Sequence, residues 1–163
     1  MNREYIAAYS RTLKEGLVTV EVVDNNINCD VQPIPMELYG SAAIDEMICG
    51  GETIGFNILS SCWHLNPNGT WTAGKNMLER RLHLTLSKVE DKIIAIGGVT
   101  TNHVGQIIAL KSIEQYSLVE NDGWLRMKYS PVKIYGHCTV MLNTSHLMVL
   151  GGYQDDQVNL DEH

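Results

Sequence analysis

Along most of this chain apolar and polar positions alternate over short stretches, the pattern of β-strands with one covered face. The stretch LHLTLSKVEDKIIAIGG (82–98) reads as two strands about a polar turn at Lys88–Asp91, with β-branched residues concentrated in the second. HCTVMLNTSHLMVLGG (137–152) has the same form and turns at Asn143–Ser145. SCWHLNPNGTWTAG turns on Asn66-Pro67-Asn68-Gly69, and IEQYSLVENDGWLRM on Asn121-Asp122-Gly123; both are strong hairpin signals. Strands are therefore expected near 82–88, 91–96, 110–118 and 123–128. Only residues 3–14 suggest a helix, where Tyr5, Ile6, Tyr9 and Leu13 could share a face.

These segments recur. Glycine pairs stand at Gly50-Gly51, Gly97-Gly98 and Gly151-Gly152, spaced by 47 and 54 residues. Trp63 and Trp71 are eight apart, as are Tyr116 and Trp124, and His83 and His137 each lie 14 before a glycine pair. Each period holds four short strands. A four-stranded sheet repeated at this interval buries its faces by stacking on its neighbours, which predicts an all-β, β-propeller-type architecture. Glycines closing the second strand would permit positive φ where successive sheets crowd together.

The repeat resembles the kelch motif: a glycine pair after an apolar strand, then Tyr or Trp, then Trp a strand and a turn later. Gly50, Gly51, Trp63 and Trp71 match it in one unit, and Gly97, Gly98, Tyr116 and Trp124 in the next; Gly151 and Gly152 open a third. Met77, Arg81 and His83 also match the kelch lead-in, and Gly136-His137 part of it. The resemblance implies a kelch-type β-propeller segment of four-stranded antiparallel blades over residues 17–163, preceded by an N-terminal segment, 1–16. It departs in the earliest unit, where Val23 and Cys29 stand near the aromatic positions. The hairpin before Gly50 is also compressed, with Tyr39-Gly40 ten residues ahead of Gly50 and Tyr135-Gly136 fifteen ahead of Gly151. Residues 17–32 are expected as the last two strands of a preceding blade, and 135–151 as the first two of a following one. Kelch propellers close with about five to seven blades, so this chain would be part of a propeller, completed by remaining blades or by self-association.

Composition narrows the function. In 163 residues the hydrophobic fraction of 44% supports a buried core, and a net charge of −7 without a Lys/Arg cluster argues against nucleic acid and anionic membranes. No apolar run is long enough for a membrane-spanning helix, and the N-terminus lacks a signal-peptide core. No phosphate loop, nucleophile elbow, paired-carboxylate signature or zinc-ligand spacing occurs, so neither cofactor nor metal is expected. The expected function is a non-catalytic scaffold presenting loops to a protein partner. Two alternatives stay open: part of a galactose-oxidase-like or other kelch-bearing enzyme, and a secreted structural matrix protein.

The repeating aromatics and His83 and His137 are expected in structural roles. Recognition belongs instead to loop residues that do not repeat: Glu52, Thr53 and Asn57 after the first glycine pair, Thr101, Asn102 and His103 after the second, and Gln154 and Asp155 after the third. Asn68 and Asn143 begin N-glycosylation sequons. Cys49, at the end of a second strand, and Cys62, at the start of the third, should face each other across an antiparallel pair and form a disulfide. The other reading is two buried thiols in a reducing compartment. A bridge and used sequons would place the protein outside the cell; without them a cytoplasmic location stands.

Overall fold

The computed structural model describes residues 7–11, 18–22, 32–36, 38–120 and 122–154. It is all-β: every element among the described residues is a strand, and every pairing is antiparallel. In chain order the strands are β1 Ala7–Arg11, β2 Val18–Val22, β3 Ala42–Ile44, β4 Met47–Cys49, β5 Cys62–Leu65, β6 Trp71–Ala73 and β7 Thr85–Val89. They continue with β8 Lys92–Ile96, β9 Val99–Thr101, β10 Ile107–Ala109, β11 Ile113–Ser117, β12 Trp124–Arg126, β13 Tyr135–Met141 and β14 Leu147–Tyr153. Sheet I is β3-β4-β5-β6, sheet II is β7-β8-β11-β12, and β13–β14 is a third hairpin. The four strands expected between 82 and 128 all form, with Gly97 and Gly98 following the second of them.

The N-terminal expectation is corrected. Ala7–Arg11, the centre of the expected helix, is a strand that pairs with β2, Tyr9 facing Val20. β2 alternates valine with Thr19 and Glu21, and a β-branched partner strand outweighs the loose apolar spacing of residues 3–14. The hairpin crosses the boundary expected at 16/17. Of the two strands expected within 17–32 only β2 is described, and its partner lies upstream. Residues 23–31 of that span lie outside the described residues.

The first two glycine pairs sit in one hydrogen-bonding frame. Gly50 N–H donates to the Ser61 carbonyl and Gly97 N–H to that of Ser112, fastening the second strand to the third. Gly51 N–H donates to the Arg81 carbonyl and Gly98 N–H to that of Ile134, fastening each sheet to the next. All six glycines have positive φ, from 58° to 93°. A Cβ on Gly50 would meet the Arg81 carbonyl at 2.5 Å, and one on Gly97 the Ile134 carbonyl at 2.2 Å. No other residue fits.

Register corrects two equivalences drawn from spacing. Counted from the glycine pairs, Gly40, His83 and Gly136 occupy one position, at φ 59°, 56° and 60°. His83 N–H donates to the Gly40 carbonyl and Gly136 N–H to that of His83, a backbone stitch running through the three units. His137 instead corresponds to Leu84. The β7–β8 hairpin is one residue shorter than its counterpart between Gly136 and Gly151, so equal spacing from the glycines is not equal position. In the same way Trp71 corresponds to Trp124, but Tyr116 corresponds to Leu65, because Tyr116 faces Trp124 directly and Leu65 faces Trp71. Trp63 corresponds to Glu114.

The core lies between the stacked sheets. Met47, Cys49 and Cys62 of sheet I pack with Met77 against Leu84, Leu86, Ile93, Ala95, Tyr116 and Trp124. Trp71 and Trp124 each tie their sheet to the connector before it, the indole N–H donating to the carbonyl of Gln32 (2.9 Å) and Lys75 (3.0 Å) respectively. Tyr116 and Trp124 are buried as expected of packing residues; Trp63 and Trp71 are half-buried.

Candidate functional site

The chain turns back after each glycine pair into a short hairpin, and two of these form one loop end of the molecule. In sheet I Glu52 bridges Tyr39 on one side and Ile58 on the other; in sheet II Val99 bridges Leu82 and opens the β9–β10 ribbon. Both hairpins close through the same five-residue turn. Thr53 N–H donates to the Asn57 carbonyl and Phe56 N–H to that of Thr53; Asn102 N–H donates to the Gln106 carbonyl and Gly105 N–H to that of Asn102. Phe56 and Gly105 thus occupy one position, both left-handed, at φ 58° and 82°. Glycine suits that conformation; phenylalanine is rarely found there.

The turns project apolar side chains into solvent. Phe56 is 83% exposed, Val104 65% and Ile54 63%. From Thr53 to Asn57 and from Thr101 to Gln106 neither tip carries a charged residue other than an ionisable His103. Sequence reasoning named the loops but missed these three residues. The signal was there, in TIGFN and NHVGQ occupying the same slot with apolar residues at the turn.

The residues expected to bind have varied positions. Glu52 is half-buried at the loop base, where burial raises its carboxyl pKa above the usual 4.5. Thr53 and Asn57 close the first turn, and Thr101 ends β9. Asn102 is engaged within its own loop: its Nδ2 donates to Gln106 Oε1, and its Oδ1 accepts the Val104 and Gln106 N–H groups. His103 is exposed beside it, and Gln154 is exposed just beyond β14. Asp155 lies outside the described residues.

Cys49 and Cys62 are bridged, with Cα atoms 4.1 Å apart. The Gly50 N–H to Ser61 carbonyl bond makes them a non-hydrogen-bonded pair, the closer type of facing pair. Asn68 and Asn143 are exposed in turns, where each side-chain carbonyl caps following groups: Thr70 for Asn68, Ser145 and His146 for Asn143.

The other concentration of chemistry is buried. Arg81 and Glu114, both fully buried, pair at 2.8 Å. Arg81 also donates to the Gly97 and Ser112 carbonyls and to Ser112 Oγ, while Glu114 accepts the backbone N–H groups of Leu78 and Glu79. Glu79 closes the cluster through Ser112 and Arg126. Every oxygen of Glu114 is engaged, so the cluster acts as a fastener between connector and sheet. Among the described residues no group of three His, Cys, Asp or Glu side chains is arranged to hold a metal ion.

No protein-family model matches the chain. Among solved structures it is similar to one described as the structure of YjhT, with a TM-score of 0.59 and 19% identity over 70% of this chain. The match takes in 34% of that protein, so this chain corresponds to about a third of its length. At this identity the likeness speaks for the stacked all-β fold alone.

Proposed function

We propose that the chain is a kelch-type propeller segment acting as a non-catalytic protein-binding scaffold through its glycine-pair loops. The observation that carries this reading is the exposure of Ile54, Phe56 and Val104 on two turns of identical backbone frame. Exposed apolar tips on a rigid support suit insertion into a partner's apolar pockets, where aromatic anchors dominate binding energy. A photo-crosslinking phenylalanine analogue placed at position 56 or 104 should capture the same discrete protein. The same group at Glu90, in the turn at the opposite end of sheet II, should capture none. Equal labelling from all three positions, or none from 56 and 104, would refute it.

The disulfide favours a second feature, residence in an oxidising compartment. That is the setting of the secreted, glycosylated reading. A mass increment at Asn68 or Asn143 in protein from its native source would support it, and unmodified asparagines with free Cys49 and Cys62 would remove it.

A further inference from the structure

The two sequon asparagines are held in the same way. Asn68 Oδ1 accepts the Thr70 N–H at 3.2 Å and the Thr70 hydroxyl at 2.7 Å. Asn143 Oδ1 accepts the Ser145 N–H at 3.0 Å, the Ser145 hydroxyl at 3.2 Å and the His146 N–H at 2.9 Å. A backbone N–H can bond only the oxygen of a side-chain amide, so these donors fix which way each amide points. The nitrogen is left over: neither Nδ2 has a hydrogen-bond partner among the described residues, and both residues are exposed. Asn66 and Asn102, which begin no sequon, differ. Their Nδ2 atoms donate to Thr70 Oγ1 and Gln106 Oε1, both at 3.0 Å.

The two asparagines also share one end of the molecule. Asn68 stands in the β5–β6 turn beside the β3–β4 turn, where Leu65 N–H donates to the Glu46 carbonyl. Asn143 stands in the β13–β14 turn. β13 runs alongside β7, with His137 on Thr85 and Thr139 on Ser87, so its turn lies beside the one at Glu90. Lys88, next to that turn, pairs with Asp45 of the β3–β4 turn and completes the row. All these turns lie opposite the glycine-pair loops, because each hairpin runs from one end to the other. Chemistry divides along the same line. Asp45, Glu46, Glu90 and Asp91 put charge at the turn end, while Ile54, Phe56 and Val104 occupy the loop end.

We infer that Asn68 and Asn143 both carry N-linked glycans, which sheathe the turn end and leave the loop end as the face that meets a partner. The inference rests on the oxidising-compartment reading above. In the transfer, the asparagine Nδ2 attacks C1 of the first sugar of a lipid-linked oligosaccharyl diphosphate. A C1–N bond replaces the C1–O bond, the lipid diphosphate leaves with the electron pair, and the amide gives one proton to a base of the transferase. Because the new bond forms on nitrogen, the Oδ1 caps survive it and both turns keep their geometry beneath the sugar. A bulky, hydrated glycan excludes protein contact from the end that bears it.

Peptide mass mapping of protein from its native source should find both asparagines occupied, each converted to aspartate when the N-glycans are released enzymatically. In the 163-residue chain directed through a eukaryotic secretory pathway, Asn68→Asp and Asn143→Asp keep the capping oxygen and lack the acceptor nitrogen. Each should lose one glycan and remain folded. A small monomeric mannose-binding lectin, bound to the glycans of the unaltered chain, should leave partner capture at position 56 unchanged, since it sits at the opposite end. Bare Asn68 or Asn143 in native protein whose Cys49 and Cys62 are bridged would overturn the inference and leave the compartment reading standing. Capture lost on adding lectin would overturn it and leave loop-end docking standing. Absence of capture without lectin would overturn loop-end docking, and the one-ended arrangement with it. Free Cys49 and Cys62 together with bare asparagines would overturn the compartment reading and this inference alike.

Discussion

Phe56 stands where the neighbouring hairpin places Gly105, in a left-handed conformation and almost wholly in solvent. Its ring contributes little to the fold while its backbone carries strain of about 1 kcal/mol. Phe56→Gly should therefore raise stability in urea unfolding by up to ~1 kcal/mol while abolishing partner capture at position 104. Loss of stability would show that the ring packs, and intact capture that it does not bind. Gly97 is the opposite case. Gly97→Ala drives a Cβ into the Ile134 carbonyl at an unfavourable φ, and a loss of about 3 kcal/mol is expected. His137 is buried with Nε2 on Thr85 Oγ1 and no partner for Nδ1 among the described residues. Burial lowers its pKa below the usual 6.5, and does the same to the half-buried His64. The neutral rings fit the fold, so their stability is fully present above the unfolded value. It declines as pH falls below about 6.5 toward the lowered folded values. His137→Gln should flatten part of that decline in melting midpoints measured from about pH 7.5 to pH 5.

Between strands and connectors, one position is filled in two ways. Arg81 and Glu114 of sheet II correspond in register to Leu38 and Trp63 of sheet I, and where Arg81 enters an ion pair, Leu38 joins an apolar cluster with Ile34 and Ile48. Breaking a buried pair leaves one charge uncompensated, so Arg81→Leu should cost about 3–5 kcal/mol. Adding Glu114→Leu should recover part of this. It cannot recover all, because the Leu78 and Glu79 N–H groups lose their acceptor. A double-mutant cycle showing no coupling would mean that the two residues act separately. At this scale the sequence was most legible: alternation and turn residues located β7, β8, β11 and β12, and strand adjacency located the Cys49–Cys62 bridge. Spacing misled where turns differ in length. The turn between β5 and β6 is two residues shorter than that between β11 and β12, which shifts Trp63 away from the position of Tyr116 despite their equal distances to the next tryptophan. The Arg81 partners were illegible, because Glu114 lies 33 residues away and nothing local marks it as buried. The loop end was legible by position alone; its apolar tips depend on turn geometry that periodicity does not report.

Across the molecule, burial falls from sheets I and II toward β14, and local stability should follow it. Sheets I and II share the core that holds the disulfide, and the Arg81 cluster fastens their connector, so amides of β4 and β8 should exchange slowest with solvent deuterium. The β13–β14 hairpin rests on sheet II through two hydrogen-bonded side-chain pairs and leaves Val140, Leu142 and Leu150 exposed. In dilute protein its outer strand should show alternating protection. Met148 and Leu150, bonded to β13, should exchange more slowly than Leu147, Val149 and Gly151, whose N–H groups point away from β13. Equal protection along β14 would instead mean that the outward N–H groups are engaged as firmly as those bonded to β13.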